Sequence, residues 1–362
     1  MQILWQDLRY GARMLLKKPG FTLISIITLA LAIGANTAIF SVVDAVLLQP
    51  LPYPDSDRLM RIWEVYRQEK STASFPCLTD MRKQSRSFAQ IAAYEYERLI
   101  LTGSDRPEYV TGMKVSADFF QTLSLKPALG RDFQAEDDRY GASHVVIIGH
   151  GLWQRRFSGN QRAIGREMTI NNETYVVVGV LPPGVEYPDP HVEIWAPLAL
   201  EPKRSVDRGN HFLNVIGRLN TDVSTQVAQS DMNAVARRME EEYPNNNKGV
   251  GVLIMPLNEE LVGEVRRALL VLLGAVGFVL LIACANVATL LLARAAGRQK
   301  ELAIRAALGA NRRMMIRQLM MESLLLSLFG GGMGLLLALW LVDLLAPAIP
   351  GGIHNAKAVD LN

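Results

Sequence analysis

Seven lysines and arginines crowd the stretch from Arg294 to Arg317, RAAGRQKELAIRAALGANRRMMIR, against a single acid, Glu301. The cations are Arg294, Arg298, Lys300, Arg305, Arg312, Arg313 and Arg317. Such a segment works by charge: it grips an acidic surface or anionic headgroups. Catalytic spacings are scarcer. His144 and His150 stand six apart at a strand end, and His191 and His211 are isolated, with no second ligand at i+3 or i+4 for a metal. Glu136-Asp137-Asp138 reads as a solvated acidic loop. Ser143, Ser158 and Ser205 lie in no G-x-S-x-G elbow, and no G-x-x-x-x-G-K-[ST] phosphate loop is present. No catalytic residue and no metal ligand is assigned.

What positions the basic segment is a pair of apolar runs on either side of it. Residues 19–43, 268–293 and 323–342 carry no charge, runs of 25, 26 and 20 residues. Each meets the roughly 20 residues that cross a hydrocarbon core ~30 Å thick, so three transmembrane helices are expected. The first run is longer than a cleaved signal segment and is followed by the poor cleavage site Val43-Asp44-Ala45. Sidedness follows from charge. Residues 1–18 carry four bases and one acid, residues 294–317 seven and one, and residues 47–266 25 bases and 29 acids. The positive-inside bias puts the N-terminus and 294–317 in the cytoplasm and 47–266 outside. The expected locale is a bacterial inner membrane, and the third span leaves the C-terminus outside. The two cysteines, Cys77 outside and Cys284 within the second span, cannot pair, and no nucleic-acid module is visible.

The expected organisation is an interfacial amphipathic helix over 1–18, a span at 19–46 and an extracytoplasmic domain at 47–266. A second span at 267–293, the cytoplasmic loop 294–317, a third span at 318–346 and an outside tail at 347–362 follow. In the first span Ala30, Gly34 and Ala38 recur every four residues, and in the third Gly330 and Gly334 form a GxxxG pair. Small residues at that spacing let helices approach closely. Asn36 reads as an interhelical hydrogen-bonder or a transport-path residue, and the glycines as a close contact or a hinge. Within 47–266, strands are predicted at Tyr109–Val115, His144–Ile148, Tyr175–Val180, Phe212–Leu219 and Val250–Pro256. Helices are predicted at Phe75–Arg86, Ala117–Thr122, Gly151–Phe157 and Val223–Tyr243, the last with Val227, Ala234, Val235 and Met239 inward. Trp153 and Trp195 read as core aromatics. The fold class is an α-helical membrane protein with three spans and a large α+β extracytoplasmic domain in two lobes.

Three stretches carry a family resemblance. DLRYGARMLLKKPGFTLISIITLALAIGANTAIFSVVDAVLLQPLPY opens the chain; FFQTLSLKPALGRDFQAEDD, VVIIGHGLWQRRF, IGREMTINNETYVVVGVLPP and IWAPL follow; RQKELAIRAALGANRRMMIRQLMMESLLLSLFGGGMGLLLA closes the set. In order and with this topology, the chain resembles the MacB-like, FtsX-like permeases of ABC transporters, and most of all the N-terminal unit of the tandem-duplicated kind. The resemblance implies that the inner loop carries a coupling helix docking on a separate ATPase subunit, with Glu301, Ala303, Ile304, Leu308 and Gly309 in the matching pattern and Arg298 and Arg305 flanking. It implies no cofactor in this chain, since ATP is bound by the partner subunit. Other implied partners are a second permease unit, a periplasmic adaptor and membrane lipid, with no nucleic acid. The implied activity is non-enzymatic: ATP hydrolysis elsewhere is converted into movement of the outside domain. An FtsX-like sensor or regulator acting on an extracytoplasmic peptide or cell-wall hydrolase is the alternative. Family units have four spans, so a truncation before the fourth is expected, the alternative being a separate polypeptide that supplies the remainder. Nothing in the sequence names a substrate.

Overall fold

The computed structural model describes residues 19–44, 50–102, 107–185, 187–297 and 312–345, with isolated positions at 9, 13, 15–17 and 47. It divides into two compact units, Pro50–Gly263 on one hand and Met1–Gln49 with Glu264–Asn362 on the other.

The first unit is built on an eleven-stranded mixed sheet. Its strands are β1 (Leu59–Tyr66), β2 (Glu69–Ser71), β3 (Phe88–Thr102), β4 (Glu108–Val115), β5 (Leu129–Gly130), β6 (Val145–Ile148), β7 (Glu167–Ile170), β8 (Glu173–Val180), β9 (Val192–Pro197), β10 (Asn214–Leu219) and β11 (Val250–Pro256). The path runs β11-β1-β10-β3-β4-β9-β6-β8-β5, with β2 beside β1 and β7 between β3 and β8. Only β4/β9 and β6/β8 are parallel among the described strands. The 15-residue strand β3 joins two lobes: Phe88–Tyr94 pairs with β10, and Tyr94–Leu101 with β4. Five of these strands match the predicted segments to within two residues at either end. The sequence pattern does not single out β1, β2, β3, β5, β7 and β9. In β1 the reason is plain, because Arg61 and Glu64 occupy buried positions and break the apolar pattern.

Helices α2 (Phe75–Gln84) and α6 (Thr225–Glu242) cover the first lobe, enclosing Met60, Ile62, Leu78, Met81, Val215 and Ile254. Each starts at a serine whose hydroxyl accepts a backbone N–H, Ser74 from Cys77 at 3.4 Å and Ser224 from Val227 at 3.3 Å. The cap at Ser224 moves the start of α6 two residues past the predicted Val223. The buried stripe of α6 is Ala228, Met232, Val235, Ala236 and Met239, while Val227 is exposed. The stripe is thus rotated from the expected one: a face at 3.6 residues per turn accommodates Met232 with Val235 and Met239, and Val227 falls off it. Short helices α3 (Phe119–Thr122) and α4 (His150–Phe157) serve the second lobe, where Phe119, Phe120, Trp195 and Ile147 are fully enclosed. α5 (Pro202–Val206) and α7 (Pro244–Asn247) are single turns.

The second unit is helical. It holds α1 (Pro19–Val43), most of the 41-residue α8 (Leu257–Gly297), which starts where β11 ends, and α9 (Arg312–Leu345). Among the described residues three segments are long and apolar enough to cross a membrane: Pro19–Val43, Val265–Ala293 and Met320–Val342. The protein is thus a multi-span α-helical membrane protein carrying a large two-lobed α+β domain. The interfacial helix expected over 1–18 and the tail 347–362 lie largely or wholly outside the described residues.

Candidate functional site: a small-residue seam between two spans

Helices α1 and α9 meet along the small residues of both. Ala30 and Ala38 are each 1% exposed, and Gly34 is buried between them. A β-carbon added at Gly34 would stand 2.9 Å from the carbonyl oxygen of Gly334 and 3.1 Å from the β-carbon of Leu337. One added at Gly334 would meet the β-carbon of Ile33 at 3.0 Å and the carbonyl oxygen of Ala30 at 3.1 Å. One at Gly330 would meet Leu29 at 2.7 Å. Gly331 and Gly332 face open space. The two helices therefore touch backbone to backbone, which is possible only where no side chain intervenes. Dispersion contacts made at that distance hold the two helices together. Asn36 is half-buried on α1, two residues from Gly34.

The span of α8 is far less covered. Leu270, Val271, Phe278, Leu281 and Ile282 on it are exposed. An apolar groove of about 790 Å³ opens between Leu29 of α1, Val287 and Leu291 of α8, and Met320 and Leu324 of α9. Cys284 lines this groove and is exposed. Glu322 is only 3% exposed and lies inside the third candidate span. The expected docking residues Arg298, Glu301, Ile304, Arg305, Leu308 and Gly309 all lie outside the described residues.

In the sheet unit the chemistry-bearing residues are spread out and serve the fold. His144 stacks on Tyr175 at 4.8 Å and lies 3.6 Å from Glu173. His191 binds Asp189, His150 packs edge-on against Trp153, and His211 lies 2.9 Å from Glu64. No three potential metal ligands cluster among the described residues. The run Glu136-Asp137-Asp138 is not simply solvated. Asp137 forms a two-pronged pair with Arg131 at 2.6 and 3.0 Å, and Asp138 accepts the N–H groups of Ala117 and Ala199. Burial pushes both carboxyls up; for Asp137 the bonds from Arg131 and the Gln134 N–H more than offset it, leaving it below the ordinary carboxylate value, whereas Asp138 stays above. Trp195 is enclosed at 1% exposure, and Trp153 donates from Nε1 to the carbonyl of Asn160. Sequence reasoning misses the buried charges of β1. Arg61 stacks 4.1 Å over Trp63 and donates to Asn214, while Trp63 and Lys70 both reach Glu260 at 3.2 Å in the first turn of α8. Their one sequence signal is charge inside a β-branched and aromatic segment.

Comparison with known proteins gives this arrangement a family. The family described as MacB-like periplasmic core domain matches residues 22–235, and that described as FtsX-like permease C-terminal matches residues 273–358. Among similar curated proteins is a macrolide export ATP-binding/permease protein MacB of Agrobacterium fabrum, 28% identical over 261 residues, covering 69% of this chain and 39% of the relative. A pyoverdine export ATP-binding/permease protein PvdT of Pseudomonas syringae pv. tomato is 25% identical over 243 residues, covering 65% and 35%. The chain spans about a third of the length of such relatives. The crystal structure of the periplasmic region of MacB from Actinobacillus actinomycetemcomitans covers 63% of this chain and 97% of its own, at 14% identity and a TM-score of 0.44. With the core-domain match taking in more than half of its residues and the permease match following in order, this chain belongs to the MacB/FtsX-like permease family.

Proposed function

We propose that the chain is the permease component of an ATP-driven exporter or mechanotransmission complex, itself without catalysis, which turns ATP hydrolysis on a separate subunit into movement of the sheet unit. The observation that carries this reading is the order of its parts: a core-domain match, then a permease match, with the basic segment 294–317 between two membrane spans. Relatives with matching segments are named as export ATP-binding/permease proteins. In this reading the N-terminus and the basic segment are cytoplasmic and residues 47–266 extracytoplasmic. The ATPase docks on Arg298, Glu301, Ile304, Arg305, Leu308 and Gly309, while Ala30, Gly34, Ala38, Gly330 and Gly334 keep α1 and α9 a rigid lever. A second permease unit and a periplasmic adaptor complete the assembly, as the N-terminal unit of a tandem permease would require. The FtsX-like match favours one alternative, a regulator whose outside unit acts on a peptide or cell-wall hydrolase.

Reversing charge at Arg305 together with Leu308→Asp tests the docking. The expected result, in the full-length protein, is loss of ATPase co-purification with the fold unchanged by circular dichroism. Undiminished co-purification refutes the assignment of the loop.

A further inference from the structure

A carboxylate sits where β1 offers it almost no water. Glu64 is 2% exposed, on a strand flanked by β11 and β2, and neither of its oxygens makes a hydrogen bond of good geometry among the described residues. Its ion pair is with His211, whose Nδ1 lies 2.9 Å from Oε2 and 3.1 Å from the carbonyl oxygen of Thr72. His211 belongs to the connection that precedes β10, and that connection is tied down at both ends. Arg208 donates to Asp80 at 2.6 Å and lies 3.3 Å over the ring of Tyr243. At the other end Leu213 and Ala73 exchange backbone hydrogen bonds of 2.8 and 2.9 Å.

The surrounding charges leave His211 as the group that answers Glu64. From α2 come Asp80, already paired with Arg208, and Cys77, which accepts from Asn247 at 3.6 Å and from Arg208 at 3.8 Å. Burial and the charge of Glu64 push the Cys77 thiol up, so it stays neutral near neutral pH. Asp207, on the same connection as His211, adds negative charge, and Tyr243 closes the end of α6. A carboxylate this enclosed is costly unless a cation stays beside it.

We propose that His211 and Glu64 form a proton-operated clasp, which holds the middle of this connection, residues 209–212, against β1 while the imidazole is charged and loosens it when its proton leaves, the ties at Arg208 and Leu213 staying in place. The close contact with Glu64, opposed by burial, raises the His211 value above its ordinary 6.5. A raised histidine contributes stability that is complete below the unfolded value and is lost as pH rises through the folded one. The clasp is therefore closed in mildly acidic surroundings and opens above pH 6.5.

The test is hydrogen exchange of peptides covering 207–213 in the full chain in lipid nanodiscs, at about pH 5.5 and about pH 8.5, either side of the ordinary histidine value, corrected for intrinsic exchange. Protection in the native chain is expected to fall about tenfold or more across this range. Glu64→Gln is expected to remove that dependence, since the amide needs no counter-charge. Equal protection at the two pH values in the native chain overturns the clasp, as does an unchanged dependence in Glu64→Gln. Should that variant fail to fold, an NMR titration of the native histidine Cε1–H signals, with His211→Asn for assignment, decides: a midpoint above 6.5 supports the clasp and one at or below it refutes it.

Discussion

Replacing Gly34 by alanine puts a methyl carbon 2.9 Å from the carbonyl oxygen of Gly334 and 3.1 Å from the β-carbon of Leu337. Ordinary contacts of a β-carbon begin at 3.4 Å, so the oxygen intrudes by 0.5 Å (3.4 less 2.9). It is a backbone atom inside a helix and cannot rotate away. Relief comes only by separating α1 from α9, which loosens the contacts of Ala30, Ala38 and Ala338 as well. Overpacking of this kind costs about 1–3 kcal/mol. Alanine also gains about 1 kcal/mol over glycine in helix propensity, in the opposite sense. The two effects are separated by Gly331→Ala and Gly332→Ala, which gain the same propensity on α9 but meet open space. Gly34→Ala is therefore expected to be about 1–3 kcal/mol less stable than Gly331→Ala. Denaturant titration of the full chain in mixed micelles, followed by circular dichroism, reads that difference. If Gly34→Ala and Gly331→Ala unfold together, the seam is not held by backbone approach and the rigid lever loses its basis.

Two further outcomes follow from the sheet unit. Gln229 on α6 closes the edge of β11, donating from Nε2 to the carbonyl of Val252 at 2.7 Å and accepting the Ile254 N–H at 2.9 Å. Gln229→Ala should cost about 1–3 kcal/mol, with faster exchange of the Ile254 amide as its local signature; unchanged exchange there refutes the edge-closing role. Asp231 gathers the Ser85 hydroxyl and the N–H groups of Arg86 and Ser87, and although burial raises its carboxyl, these bonds hold it below the ordinary value. Its contribution is present above pH 3.8 and is lost as pH falls through the depressed folded value, so acid unfolding of Asp231→Asn should begin from a lower stability but depend less on pH below 3.8. Parallel acid-unfolding curves for the two proteins contradict this.

Much of the candidate site is legible in the residue spacing. A four-residue interval is a property of the helix itself, so Gly330 with Gly334, and Ala30 with Gly34 and Ala38, have to share faces once their segments are helical. Which helix lies against which is not legible, because spacing describes a face and not its neighbour. The buried pair of Glu64 and His211 is hidden for a related reason. A glutamate in a strand reads as solvent-facing until a distant part of the chain folds back to cover it.

The sequence by itself determined the three spans, the predominance of negative charge in 47–266 and of positive charge in 294–317, and the mixed α/β character of the large unit. Each depends on runs of residues whose transfer between water and hydrocarbon is settled locally. Only the tertiary structure decided that β3 would serve two lobes, that α1 would pair with α9 while α8 stays largely uncovered, and that the acidic run at 136–138 would bind Arg131 and two backbone amides. These are long-range choices. They turn on which surfaces fit once the elements exist, and shape at a distance is not written in the periodicity of any one segment.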